Sequence, residues 1–290
     1  MPAKSNRRKR RAGGKTKKLR CSPTSENKFT CYSNSSLEYM KGLWNARHPD
    51  CKINTNDPRE IWDKLRKHLS NVCDNEACWL RQKFMKGKVN SELKDYTFAP
   101  KAPESWRTNQ DEWLSSVDIE KVMRQYERKF SCFNFIGPSP IDYDYHKMYN
   151  ECVWEELCNF NLSNMIKRGK NKIGIVFNTD PHFKSGTHWI ALFIDIKKKL
   201  IYFFDSTGDK PPSNVLKFVN TVQEQGSHEG IHFQYLENHP NSHQKEDSEC
   251  GVYCLYFLIH MVEQGKHDVF SRGNIPDYQI QNFRNVYFNI

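Results

Sequence analysis

The stretch Thr187-His188-Trp189-Ile190-Ala191-Leu192-Phe193-Ile194-Asp195-Ile196-Lys197-Lys198-Lys199-Leu200-Ile201-Tyr202-Phe203-Phe204-Asp205-Ser206 holds two apolar, β-branched or aromatic runs of strand length, 189–196 and 200–204. Three lysines separate them, the pattern of an antiparallel pair. Residues 173–177 form a third run of this kind, and 231–236 a further strand. Ser213 reads as the cap of a helix carrying Val215, Phe218, Val219 and Val222, with Gly226 as its stop. A buried helix starts near Cys250, leading into the apolar run 252–259. Strands mixed with helices imply an α+β fold with a mixed or antiparallel central sheet flanked by helices.

Upstream the pattern turns helical. Asp57-Pro58-Arg59-Glu60 is a helix start, with an Asp cap, Pro at the first helical position and an acid where the helix dipole favours it. Ile61, Leu65, Leu69 and Val72 follow at helical spacing. Ala99-Pro100-Lys101-Ala102-Pro103 reads as a linker. Ser115 and Asp118 fit a capping box ahead of Ile119, Val122, Met123 and Tyr126. Pro138-Ser139-Pro140 interrupts the zone 104–158. The organisation predicted is a basic tail over 1–20, a helical arm over 21–103 and a core over 104–290.

The chain has 290 residues and a net charge of +10. Ten of its 44 Lys and Arg fall in 1–20 with no acid among them, leaving 34 basic against 34 acidic residues elsewhere. A tail of this composition cannot bury apolar surface and attracts polyanions, so nucleic acid is an expected non-specific partner, or a nuclear address its use. The apolar run 252–259 falls short of the roughly 18 residues a membrane span needs. Ten Cys without a secretion signal or dense regular spacing predict mostly free thiols.

Three features of the last zone combine. Thr187-His188-Trp189 opens one strand, Phe204-Asp205-Ser206 closes the next, and Glu249-Cys250-Gly251 opens the apolar helix. Antiparallel pairing puts His188 beside Asp205, where the carboxylate can orient the imidazole and stabilise its protonated form. Cys250 at a helix N-terminus sits where dipole and free N–H groups favour a thiolate. Gln244, six residues earlier, offers a side-chain amide to an oxyanion, and the Cys250 backbone N–H offers another donor. Taken singly, Cys250 reads as a core thiol, His188 as a strand-end His and Asp205 as a turn residue. Only the ordered combination points to nucleophilic catalysis.

These residues resemble those of the ubiquitin-like-protein-specific cysteine proteases, the group of the SUMO proteases and the adenovirus proteinase. There the order is His-Trp, Asp or Asn, Gln, then Cys-Gly, and His188-Trp189, Asp205, Gln244 and Cys250-Gly251 fall on it. A closer resemblance is to the polyprotein-processing proteases of large DNA viruses, including that of African swine fever virus. It covers Asn178-Thr179-Asp180, Gly186-Thr187-His188-Trp189, Ser206-Thr207-Gly208 and Glu249-Cys250-Gly251, and reaches upstream to 73–78. Where that viral relative has Asn as orienter, this chain has Asp205. Where it has Gln three residues before the nucleophile, this chain has Asp247.

The resemblance implies a papain-like cysteine protease core needing no metal or cofactor. It implies a protein substrate cut at Gly-Gly-X sites in structural polyproteins during virion maturation, in the virion and the cytoplasmic factory. It further implies that Trp189 covers a narrow channel admitting glycine, and that Trp113 and Asp118 contact substrate. Plainer readings stand beside these: a buried strand aromatic for Trp189, and a capped helix with a packed Trp for Trp113 and Asp118. Cys254, one turn beyond Cys250, reads as core. Ala12-Gly13-Gly14-Lys15 contains a Gly-Gly-X sequence that the chain itself could cut.

Two rival functions remain. One is a deconjugating protease acting on SUMO or ubiquitin, which shares the same active-site chemistry. The other is a nucleic-acid-binding protein organised by zinc on Cys51, His68, Cys73 and Cys78, with a loose Cys-x4-Cys spacing.

Overall fold

A computed structural model describes residues 19–290. The basic residues before Leu19 and the Gly13-Gly14 sequence lie outside the described residues. The chain divides into two compact units, Met1–Phe98 and Ala99–Ile290.

In the first unit, Asn34–Arg47 and Pro58–Leu69 form helices. The Asp57 side chain accepts the Glu60 N–H at 2.8 Å, as the capped start predicted. Ile61, Leu65 and Leu69 pack with Leu37, Met40 and Trp44 in one core. Val72 does not join the stripe: the helix ends at Leu69, so Val72 is exposed.

The expectation of mostly free thiols is corrected. Cys21–Cys31, Cys73–Cys78 and Cys152–Cys158 are disulfides, leaving Cys51, Cys132, Cys250 and Cys254 free. Short local loops bring each pair of Cα atoms within bridging range. With Cys73 and Cys78 joined and His68 stacked on Trp44, the four proposed zinc ligands are not assembled.

The second unit is built on a five-stranded sheet in the order β1-β2-β3-β4-β5. The strands are β1 Phe133–Pro140, β2 Lys172–Asn178, β3 Trp189–Asp195, β4 Leu200–Phe204 and β5 Gln234–Glu237. β2, β3 and β4 run antiparallel, while β1 and β5 add in parallel at the edges. Pro138-Ser139-Pro140 is thus no interruption but the end of β1. Prolines are tolerated there because it is an edge strand with a register shift between Ile136 and Ser139.

Side chains alternate across the sheet. Trp189, Ala191, Phe193, Tyr202 and Phe204 face a core shared with the helices Ser116–Lys129 and Cys250–Glu263. Ile190, Leu192, Ile194, Ile201 and Phe203 face the helix Ser213–His228. The capping box predicted at Ser115 and Asp118 is present. Pro212, not Ser213, occupies the cap of the Ser213–His228 helix, and that helix runs past Gly226. Gly226 is needed for close approach instead, since a Cβ there would stand 2.6 Å from the Phe233 ring.

Cys250–Glu263 is apolar on all sides, with eleven of its fourteen residues buried, so it is a core helix rather than an amphipathic cover. The linker 99–103 pairs with the chain's end: Ala102 N–H donates to the Asn289 carbonyl at 2.9 Å, and Asn289 N–H to that of Pro100 at 2.8 Å. This places the linker in the second unit.

Candidate active site

The β3–β4 register sets Ala191 opposite Phe204, which brings the residue before β3 beside the residue after β4. His188 Nε2 lies 2.8 Å from Asp205 Oδ1. The buried carboxylate is held in place by its surroundings. The Thr207 backbone N–H and hydroxyl donate to the same Oδ1 at 2.9 and 2.8 Å. Asn238 brackets the Asp205 backbone: its Oδ1 accepts the N–H at 2.9 Å, and its Nδ2 donates to the carbonyl at 2.7 Å.

Cys250, the first residue of its helix, is buried. The Cys250 side chain acts on the imidazole together with Asp205. With Nε2 given to the carboxylate, Nδ1 is the nitrogen left for sulfur. Burial by itself disfavours the imidazolium, but the hydrogen bonds and negative charges of Asp205 and Cys250 outweigh it, and the His188 pKa is pushed up to about 10. A protonated ring between a carboxylate and a sulfur can assist a thiolate and return a proton to a leaving group.

Replacing Asp205 with Asn keeps an acceptor for the ring but removes the charge that raises its pKa. The alkaline limb of a pH–rate profile, where the imidazolium is lost, is expected to move at least about one unit toward neutrality, with part of kcat retained. An unmoved limb would disprove the electrostatic role given to Asp205.

Gln244 is buried and tied to the residue after Asp205. Its backbone N–H donates to the Ser206 carbonyl at 2.8 Å, and its Oε1 accepts the Ser206 hydroxyl at 2.7 Å. Its Nε2 donates to the Glu246 carbonyl, which leaves one amide hydrogen for another acceptor. Asp247 is exposed.

Trp189 donates its indole N–H to the Leu114 carbonyl at 2.9 Å. A Cβ on Gly251 would come within 3.0 Å of Leu114 Cβ and 3.3 Å of Trp189 Cδ1. The glycine after Cys250 therefore lets the helix start close against Trp189. Trp113 is exposed next to Leu114, whereas the Asp118 carboxylate turns back to accept the Ser115 N–H and hydroxyl at 3.0 and 2.5 Å. Asn238, Arg284 and Asp277 carry no sequence signal of their own, and Thr207 and Glu249 drew notice only as neighbours in the Ser206-Thr207-Gly208 and Glu249-Cys250-Gly251 segments.

Residues 168–289 match the family described as the Ulp1 protease family, C-terminal catalytic domain. Over this stretch the chain is similar to a Ulp1-type cysteine protease domain. It contains His188, Asp205, Gln244 and Cys250. A protein of Acanthamoeba polyphaga mimivirus, provisionally named a thiol protease, is 29% identical over 283 residues, spanning 89% of this chain and 89% of that protein. A SUMO-1 cysteine protease of African swine fever virus is 25% identical over 246 residues, covering 80% of this chain and 89% of its own. The crystal structure of the African swine fever virus protease matches the fold with a TM-score of 0.65 at 21% identity, over 96% of this chain and 97% of that one. The fold match thus takes in the N-terminal unit, which lies ahead of the Ulp1-type domain.

Proposed function

We propose that the chain is a cysteine endopeptidase that cuts structural polyproteins at Gly-Gly-X sites during virion maturation. The observation that carries the catalytic reading is the His188–Asp205 pair, with Cys250 beside it among the groups that raise the imidazole pKa. Cys250 Sγ attacks the scissile carbonyl, and the resulting oxyanion takes hydrogen bonds from the Cys250 N–H and the Gln244 amide. His188 gives its proton to the leaving amine as the C–N bond breaks, leaving a thioester. The now neutral ring takes a proton from water, which attacks the thioester and releases the acid and the sulfur. Trp189, held by Leu114 over the start of the nucleophile helix, restricts the channel to glycine. Trp113, exposed beside it, meets substrate further out, and Asp118 supports that segment through its cap. The site of action is the virion and the cytoplasmic factory, with the tail 1–20 contacting nucleic acid or serving as a nuclear address.

The similarity over the helical N-terminal unit to viral proteases supports the polyprotein reading. A second reading, removal of SUMO or ubiquitin from conjugates, is favoured by the Ulp1 family match and by the name of the African swine fever virus relative. Incubation with Gly-Gly-X reporter peptides and, separately, with SUMO and ubiquitin conjugates tells them apart. Reporter cleavage at least about tenfold faster in kcat/KM is expected. Cleavage of conjugates alone would favour the second reading.

A further inference from the structure

The helix Asp277–Tyr287 grips both ends of the segment 244–250. At one end, Asp277 Oδ2 accepts the backbone N–H groups of Lys245 and Glu246 at 2.8 and 3.1 Å, directly after Gln244. At the other, Arg284 Nε donates to the two Glu249 carboxylate oxygens at 3.0 and 2.9 Å, and Nη2 stands 2.9 Å from Oε1. Both side chains are buried, and the guanidinium lies 4.5 Å over the Trp106 ring.

Glu249 is the N-cap of the nucleophile helix, yet its side chain caps nothing. A carboxylate released at that position would accept the first-turn N–H groups, the donors an oxyanion needs. Its buried negative charge would also oppose a thiolate on the next residue. We propose that Arg284 is a positioning residue for the nucleophile: it holds the Glu249 carboxylate off the helix N-terminus and cancels its charge. The first-turn N–H groups then stay open to the reacting carbonyl, and no uncompensated carboxylate stands next to the sulfur. This rests on the reading of Cys250 as nucleophile. The other titratable groups that interact with the sulfur are His188 and Cys254, both of which also interact with Asp205. Those facing Glu249 are the Ser248 hydroxyl and Tyr253. All are untouched by the substitutions below.

The test uses the full chain and follows iodoacetamide labelling of Cys250 against pH by peptide mass mapping, beside kcat/KM on a Gly-Gly-X reporter peptide. Arg284→Met is expected to raise the labelling midpoint by at least about one pH unit and to lower kcat/KM at pH 7 about tenfold or more. The double variant Glu249→Gln/Arg284→Met removes both charges, and its midpoint is expected to return close to wild type, an outcome that lost packing alone would not produce. An unmoved midpoint in folded Arg284→Met, or a shift that persists in the double variant, overturns the proposal. Should Arg284→Met not fold, Glu249→Gln alone decides: with Arg284 uncompensated the midpoint falls, and no change overturns the proposal. Labelling reads the sulfur without any substrate. A wild type that cuts no reporter yet shows these shifts would therefore count against the protease reading and not against the role of Arg284.

Discussion

Cys250→Ala and His188→Ala are each expected to lower kcat on a Gly-Gly-X reporter by at least about 10⁴-fold, and the double variant to be no slower than either single one. On the proposed mechanism, sulfur and imidazole act as a unit. Without the thiol there is no nucleophile, and without the ring neither thiolate formation nor protonation of the leaving amine is assisted. Additive losses in the double variant would show that the two residues do not share a step. Cys250→Ala removes one buried sulfur at a helix end, so its thermal midpoint should stay within a few degrees of wild type. A collapsed midpoint would make the lost activity a consequence of unfolding. Activity retained in Cys250→Ala would end the assignment.

Phe257→Ala is expected to destabilise the catalytic unit by about 3–5 kcal/mol. Phe257 is fully buried in the middle of the helix Cys250–Glu263. Its ring stacks on Phe204 at 4.8 Å, meets Phe270 edge-on at 5.0 Å and lies 5.6 Å from Tyr202. The substitution leaves a cavity between the helix and β4, and the surrounding rings cannot close it without leaving their rotamers. Because Phe204 directly precedes Asp205, this loss also loosens the strand end that presents the carboxylate. Denaturant unfolding measures the effect, and a change below about 1 kcal/mol would mean that the helix packs less tightly against β4 than the ring contacts require.

Much of the site was legible because its order along the chain follows from local rules. Alternation in 189–196 and 200–204 and the lysine break between them give a hairpin, and a hairpin places its flanking residues side by side. His188 and Asp205 meet for that reason. The capping box and the apolar stripes likewise depend on residues within one or two turns. Prediction failed where a contact that the local pattern does not record changed the outcome. A Pro-Ser-Pro sequence reads as a break until the parallel edge of β2 is there to receive β1. Free thiols were expected from the absence of a secretion signal, which says nothing about loops that hold two cysteines in bridging range.

The primary chain thus dictated the strand pair, the helix starts and the meeting of imidazole with carboxylate, since each follows from spacing within about twenty residues. Folding alone could assign Asn238 to the Asp205 backbone, Asp277 to the loop after Gln244 and Arg284 to Glu249. Those partners lie some thirty residues apart in sequence, and nothing in the local pattern of an Asn, an Asp or an Arg records which buried polar group it will satisfy.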